Sequence, residues 1–461
     1  MTDVTSDAIA EPKTSDSVGG AGVIPRAIKI TWSAGALGVG VLMNTVAFFA
    51  LYYMVGVLKI EPALAGTLIF VTKIFDVITD PLVGNWSDGL TKAGSRRRPF
   101  MLVGACVSPI AFLMIFTTPI FVDQVFTAAY IFVAMLIYTV GYTLFNVPYI
   151  SMPAEMTDNY HERSNIHGLR MVFVSFAGIA VGAGAPLLLD ILGRTNWDAY
   201  AAVGGIGSVI VFVAMMIAWW GTRDARFTVT PNRKTNLLKE VRFVFTDRNY
   251  LRLLSVKGCQ LLGAASMQSA MAFFVIYVLQ RDFKLLSLYG LTLGIASVIA
   301  SPLIVKLSLI IGKRKAYVAC SCVSVLTTAS WILASAGDPT WMVLARGVGL
   351  AFSVSGSVIM AMSMLTDIIN YSARQSDVRR EGVYTAFYSF IEKFTFAFGP
   401  LIVGVAMSIA GFDETLPEEA MRTPEIRQSL LLAVAYIPMV MNLLSIYLLS
   451  GYRLSQEDLE S

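Results

Sequence analysis

Long apolar runs separated by short polar breaks set the rhythm of this chain. Crossing about 30 Å of hydrocarbon takes about 20 helical residues. Runs of that length lie near 29–57, 61–87, 99–120, 124–153, 165–193, 199–221, 249–280, 285–311, 315–336, 340–370, 381–411 and 426–451. The pattern predicts an all-α polytopic membrane protein with twelve transmembrane helices. Its longest polar break, near 223–248, is basic and separates two sets of six. The expected organisation is a disordered cytoplasmic tail over 1–28, a six-helix bundle over 29–222, a cytoplasmic linker over 223–248, a second bundle over 249–451 and a tail over 452–461. The first residues lack the basic-then-apolar plan of a signal peptide.

Lys and Arg concentrate in alternate loops. After spans two, four, six, eight and ten come Arg96, Arg97 and Arg98, then Arg163, the cluster from Arg223 to Arg242, Lys313 to Lys315, and Arg374, Arg379 and Arg380. The other loops are poor in base and include the acidic Asp413, Glu414, Glu418 and Glu419. Excess base marks the cytoplasmic side, so a plasma (inner) membrane protein with both termini cytoplasmic is expected. Gly94-Ser95-Arg96-Arg97-Arg98 after span two has an echo in Gly312-Lys313-Arg314-Lys315 after span eight. Two related six-span halves are the plan of secondary transporters, with the substrate near the midplane between them.

Composition narrows the alternatives. The chain is 56% hydrophobic and 14% charged, against about 25% charged in soluble proteins. Four cysteines and two histidines (His161 and His167) show no metal-site or disulfide spacing. No phosphate-binding loop, nucleotide fingerprint or nucleophile–base constellation appears. An enzyme, a nucleic-acid partner and a cofactor are therefore not expected, and the partners are a small-molecule substrate and membrane lipid, with the protein a monomer.

The chemistry gathers in span two. Lys73, Asp76 and Asp80 sit where hydrocarbon is the expected surrounding, and each charge there costs about 2.5–3.5 kcal/mol on insertion scales. The aspartates are i,i+4 and share a helix face with Lys73 one turn earlier. Such a set can hold a buried structural ion pair, bind a metal cation such as Na+ between Asp76 and Asp80, or carry a proton on one carboxylate.

Three ordered blocks resemble the glycoside-pentoside-hexuronide:cation symporters of the major facilitator superfamily, the family of the melibiose permease. They are Asp80-Pro81-Leu82-Val83-Gly84 with Asp88 and Gly94 to Phe100; Gly141 to Tyr149 with Glu155 to Asp158, His161 to Arg163 and Arg170; and Thr366 to Tyr371 with Arg380-Glu381-Gly382 and Lys393. The resemblance implies a sugar symporter driven by H+ or Na+, with Asp76, Asp80, Thr143 and Asn146 at the cation. Asn146 stands where the family has a third carboxylate, which makes a proton as plausible a coupling ion as sodium. The family's sugar-binding acid and the lysine before it align with Gly40 and Val39, and its stacking aromatic aligns with Ile150.

Arg170 and Lys393, with Lys73, leave a basic cavity suited to a sugar acid, because Arg pairs a carboxylate through two parallel bonds. Tyr142, Tyr149, Tyr384 and Tyr388 can each stack on a sugar or simply fill a helix interface. Asp88, Arg96, Arg97, Arg98, Asp158, Glu162, Arg163, Arg380 and Glu381 are expected to gate the cytoplasmic side. The remaining alternatives are a lysolipid–cation symporter and a transporter-like sensor.

Overall fold

The computed structural model describes residues 24–92, 97–157, 159–225, 244–376, 380–452 and 454. Among these there is no strand, and twelve helices are long and apolar enough to cross a membrane. In chain order they are α1 (Arg26–Val57), α2 (Pro62–Lys92), α3 (Arg98–Phe116), α4 (Gln124–Met156), α5 (Tyr160–Ile179, continuing through Ala180–Gly184 and Ala185–Leu192) and α6 (Trp197–Gly221). The second six are α7 (Arg248–Val278), α8 (Phe283–Ile311), α9 (Lys313–Leu333), α10 (Thr340–Ser376), α11 (Glu381–Ile409) and α12 (Pro424–Ser450). α2, α4 and α10 run past their apolar segments at the end carrying the basic loops, and α1 begins at Arg26, inside the expected tail.

The helix ends recur at matching places in the two sets of six. α1 and α7 each close in a π turn, Tyr53–Val57 and Phe274–Val278, followed by Lys59 and Gln280 in the left-handed region at φ 56° and 53°. α5 and α11 are each followed by a left-handed glycine, Gly193 and Gly411. α6 and α12 then start on side-chain caps, Asn196 accepting from Asp198 N and Thr423 from Ile426 N, each satisfying a backbone donor that the first turn leaves unpaired. These are backbone counterparts of the sequence echo.

Within the first six, α1 packs on α5 and α6, and α3 and α4 pack together; within the second, α7 packs on α11 and α12, and α8 on α10. Contact between the sets runs through α2 with α11, α5 with α8 and α1 with α7. Among the described residues it is seen at the end opposite the basic loops. There Ala63 N donates to Ser408 Oγ, Ser287 Oγ to Ala183 O, and Tyr52 meets Phe273 and Phe283. The apolar core divides accordingly. One cluster runs the length of the first set, from Trp32 through Phe49 and Tyr53, and takes in second-set residues such as Phe273 and Leu430 at the opposite end. A separate one, around Tyr250, Tyr317, Tyr384 and Leu449, holds only second-set residues at the basic end.

Candidate functional site

Asp76 and Asp80 stack on one face of α2, as their spacing predicts. Facing them are Thr143 of α4 and Lys393 of α11. Thr143 Oγ1 lies 3.0 Å from Asp76 Oδ1 and 3.1 Å from Asp80 Oδ1. Lys393 Nζ lies 3.0 Å from Asp76 Oδ2 and 2.5 Å from Asp80 Oδ2. Each carboxylate thus gives one oxygen to the hydroxyl and the other to the ammonium. A hydroxyl has one proton to donate, so only one of the two Thr143 contacts is a hydrogen bond at any moment. The second oxygen pair is a place where a proton or cation is electrostatically welcome. The site is deep: Asp76 is 4% exposed and Thr143 fully buried.

The other expected site residues fall around this centre in different ways. Asn146, one turn from Thr143, donates its amide to Tyr142 OH at 3.1 Å, and its Oδ1 is buried without a partner. Tyr142 donates in turn to Met43 Sδ, and Lys393 Nζ stands 5.4 Å from the centre of its ring. Tyr149 is buried between Trp32 and Phe145, with the Arg170 guanidinium 6.0 Å from its ring centre. Arg170 Nε has no hydrogen-bond partner among the described residues. Lys73 makes no ion pair there either, although it precedes Asp76 by one turn.

The expected gate is partly described. Arg96 and Asp158, and the side chains of Asp88 and Glu381, lie outside the described residues. Arg97 pairs with Glu155 at 2.8 Å and reaches Ser151, while Arg98 donates to Trp219 O. Arg163 Nε donates to Thr157 O, and Arg380 N-caps α11 through its backbone. Glu162 accepts from Lys29 at 2.6 Å and from Ile24 N, and those hydrogen bonds hold its carboxylate below the ordinary range. Lys313 pairs with Asp367. Each of these pairs stays within its own set of six.

Two further charge clusters were not apparent as pairs in the sequence. Lys257 of α7 pairs with Glu392 of α11 at 3.0 Å, beside the Lys393 centre. At the opposite end Arg194 bridges the two sets, with Asp282 at 3.1 Å and Glu418 at 2.8 Å. The acidic loop containing Glu418 was the available signal for the second. An unexplained lysine inside span seven was the signal for the first.

Comparison with known proteins adds the following. A family model described as MFS/sugar transport protein matches residues 31–456. The putative glycoside/cation symporter YagG of Escherichia coli (strain K12) is 23% identical over 441 residues, covering 94% of this chain and 93% of that one. The glucuronide carrier protein homolog of the same organism is 21% identical over 422 residues, covering 89% of each chain. Among solved structures, a D-xylose-proton symporter superposes with a TM-score of 0.67 at 12% identity, over 94% of this chain and 98% of that one.

Proposed function

The chain belongs to the MFS/sugar transport protein family, and from that premise we propose that it carries a sugar or sugar acid with H+ or Na+ by alternating access. It is a multi-pass membrane protein of the major facilitator fold. The observation that carries the proposal is the four-residue centre of Asp76, Asp80, Thr143 and Lys393, in which a tethered ammonium occupies the counter-ion position of one buried and one partly exposed carboxylate.

On this reading Lys393 is a stand-in for the transported ion. When H+ or Na+ reaches Asp76 and Asp80, it replaces the ammonium's share of the attraction and frees Lys393. A freed ammonium in low dielectric needs an anion. A carboxylate on the incoming sugar, held also by Arg170, supplies one. Ion and substrate thereby each make room for the other, which is reciprocal coupling between their sites.

The access side follows from the packing. Taking the basic loops as cytoplasmic, closure at the far end and separation of the cores at the basic end describe an inward-open carrier. Arg97, Glu155, Glu162 and Lys29 pair within their own half in this state. The gate role proposed for the cytoplasmic charges requires them to exchange partners when the site faces outward.

The test is counterflow and concentrative uptake in proteoliposomes, with methyl β-D-glucuronide and methyl β-D-xyloside under imposed Na+ or H+ gradients. Concentrative uptake of either sugar under an ion gradient is the expected result. Ion-independent equilibration of both, or no movement of either, contradicts the proposal.

A further inference from the structure

We infer that Glu392 and Lys257 form a substrate subsite on the second bundle, in which the Glu392 carboxylate accepts hydrogen bonds from sugar hydroxyls. The inference rests on the sugar-transport reading above and adds where the neutral, hydroxyl-bearing part of the substrate is held.

The position of Glu392 comes first. It directly precedes Lys393, so it stands at the depth of the Asp76–Asp80 centre. On a helix, residues two apart point to nearly opposite sides. Phe390 and Phe394, which stack on each other at 5.6 Å and are 43% and 36% exposed, therefore lie across the helix from Glu392. Toward Glu392's side α7 approaches closely: a methyl group placed on Gly258 would meet Ile391 and Thr395 at 3.7 Å. The carboxylate thus opens beside α7, which also packs on α1 of the first bundle, and away from the phenylalanine stripe.

The ion pair is asymmetric. The Lys257 side chain is 5% exposed and that of Glu392 is 40% exposed. A pair that served only to tie α7 to α11 has no need to leave its acid this open in a membrane. Lys257 is fixed from below, its ammonium 5.4 Å from the centre of the Tyr388 ring and one turn from Gln260. Gln260 is itself locked, accepting from Tyr317 OH at 2.7 Å and donating to Ser321 Oγ at 3.1 Å. A cavity of about 80 Å³ within the second bundle is lined in part by Lys257, Gln260, Ser353, Ser357 and Asn442, and by no residue of α11.

The bonding inventory supplies the chemistry. In Asp76 and Asp80 one oxygen of each faces the Lys393 ammonium and the other faces the Thr143 hydroxyl. Glu392 has Lys257 on Oε1 and no other described partner. A carboxylate oxygen is a strong acceptor, and hydrogen bonds from hydroxyls to carboxylates are among the shorter and stronger kinds. Adjacent hydroxyls of a sugar ring match the two oxygens of one carboxylate. The Lys257 ammonium, 3.0 Å from Oε1, aims that carboxylate. With Arg170 on the first bundle and Lys393 and Glu392 on the second, one sugar acid touches both halves of the carrier, its carboxylate between Arg170 and Lys393 and its hydroxyls on Glu392.

The test is equilibrium binding to the purified full chain, using methyl β-D-glucuronide and methyl β-D-xyloside as probes, with ion binding at Asp76 and Asp80 followed separately by proton release or Na+ titration. Glu392→Gln is expected to weaken both sugars roughly tenfold to a hundredfold while ion binding stays as in the wild type. A second variant, the charge swap Lys257→Glu with Glu392→Lys, preserves an ion pair and guards against loss of the fold. It is expected to fold and still lose the sugars. Wild-type sugar affinity in either variant overturns the subsite and leaves the symporter reading standing. Failure of the wild type to bind either sugar overturns both.

Discussion

Lys393 answers to Asp80 across 313 positions of sequence and to Asp76 one turn further back, and single substitutions there separate its roles. Removing the ammonium with Lys393→Met leaves two carboxylates facing each other, Asp76 buried and Asp80 partly exposed, a loss of up to about 3 kcal/mol, the lower end of the cost of breaking a buried pair. Thermal unfolding should show that loss in ion-free buffer, and saturating Na+ or mild acid should recover most of it, because a ligand bound only by the folded state stabilises it. A loss that no ion recovers would mark Lys393 as structural. Asp76→Asn and Asp80→Asn should each end concentrative uptake, measured in proteoliposomes, with normal yield of folded protein.

Both aspartates were legible in the sequence, since i,i+4 spacing within one span fixes their common face. The partner was not. Lys73 is one turn away and makes no ion pair among the described residues, because local periodicity places charges on a face without saying which distant helix covers it.

Whole elements were more legible than their ends. Apolar length alone located all twelve spans, and the differences lie where polar helix continues past the hydrocarbon, as at Met156 and Ser376. The π turns closing α1 and α7 have no apolar signature and were invisible. Gly290 shows how closely elements of the two halves approach: a methyl group there would lie 1.9 Å from Gly182 O. Gly290→Ala must push α8 off α5, an overpacking cost of about 1–3 kcal/mol. Because that seam is closed in this structure, the variant should open it, read as increased thiol labelling of a cysteine placed near the Ala183–Ser287 contact. Unchanged labelling would mean that the seam takes up the methyl group without opening.

The start of α1 carries a pH prediction. Glu162 is held below the ordinary carboxylate range by hydrogen bonds from Lys29 and Ile24 N. A depressed folded value makes the contact's contribution fully present above the unfolded value of about 4.3. It is lost only as pH falls through the lower folded value. Hydrogen exchange at residues 26–30 should therefore be flat, after correction for intrinsic rates, from pH 8 to 5, and Glu162→Gln should raise it across that range.

At the scale of the molecule the charge pairs are distributed unequally. Those at the basic end join neighbours within a half, while Arg194 at the other end ties the halves together through Asp282 and Glu418. Arg194→Ala should loosen that end and raise the outward-facing population, seen as a longer distance between spin labels placed on the α5–α6 and α11–α12 loops. The sequence revealed two related halves and a basic side. It did not reveal which side is closed, because both conformations use the same residues and differ only in pairing.

The central claim is that a transported cation and the Lys393 ammonium compete for Asp76 and Asp80. It is tested most directly by calorimetric titration of the purified protein with Na+ at two pH values, with proton release recorded, in the wild type, Lys393→Met and Asp76→Asn. The account predicts cation or proton binding in the wild type, tighter binding once Lys393 is removed, and none in Asp76→Asn. Equal binding in all three proteins would contradict it.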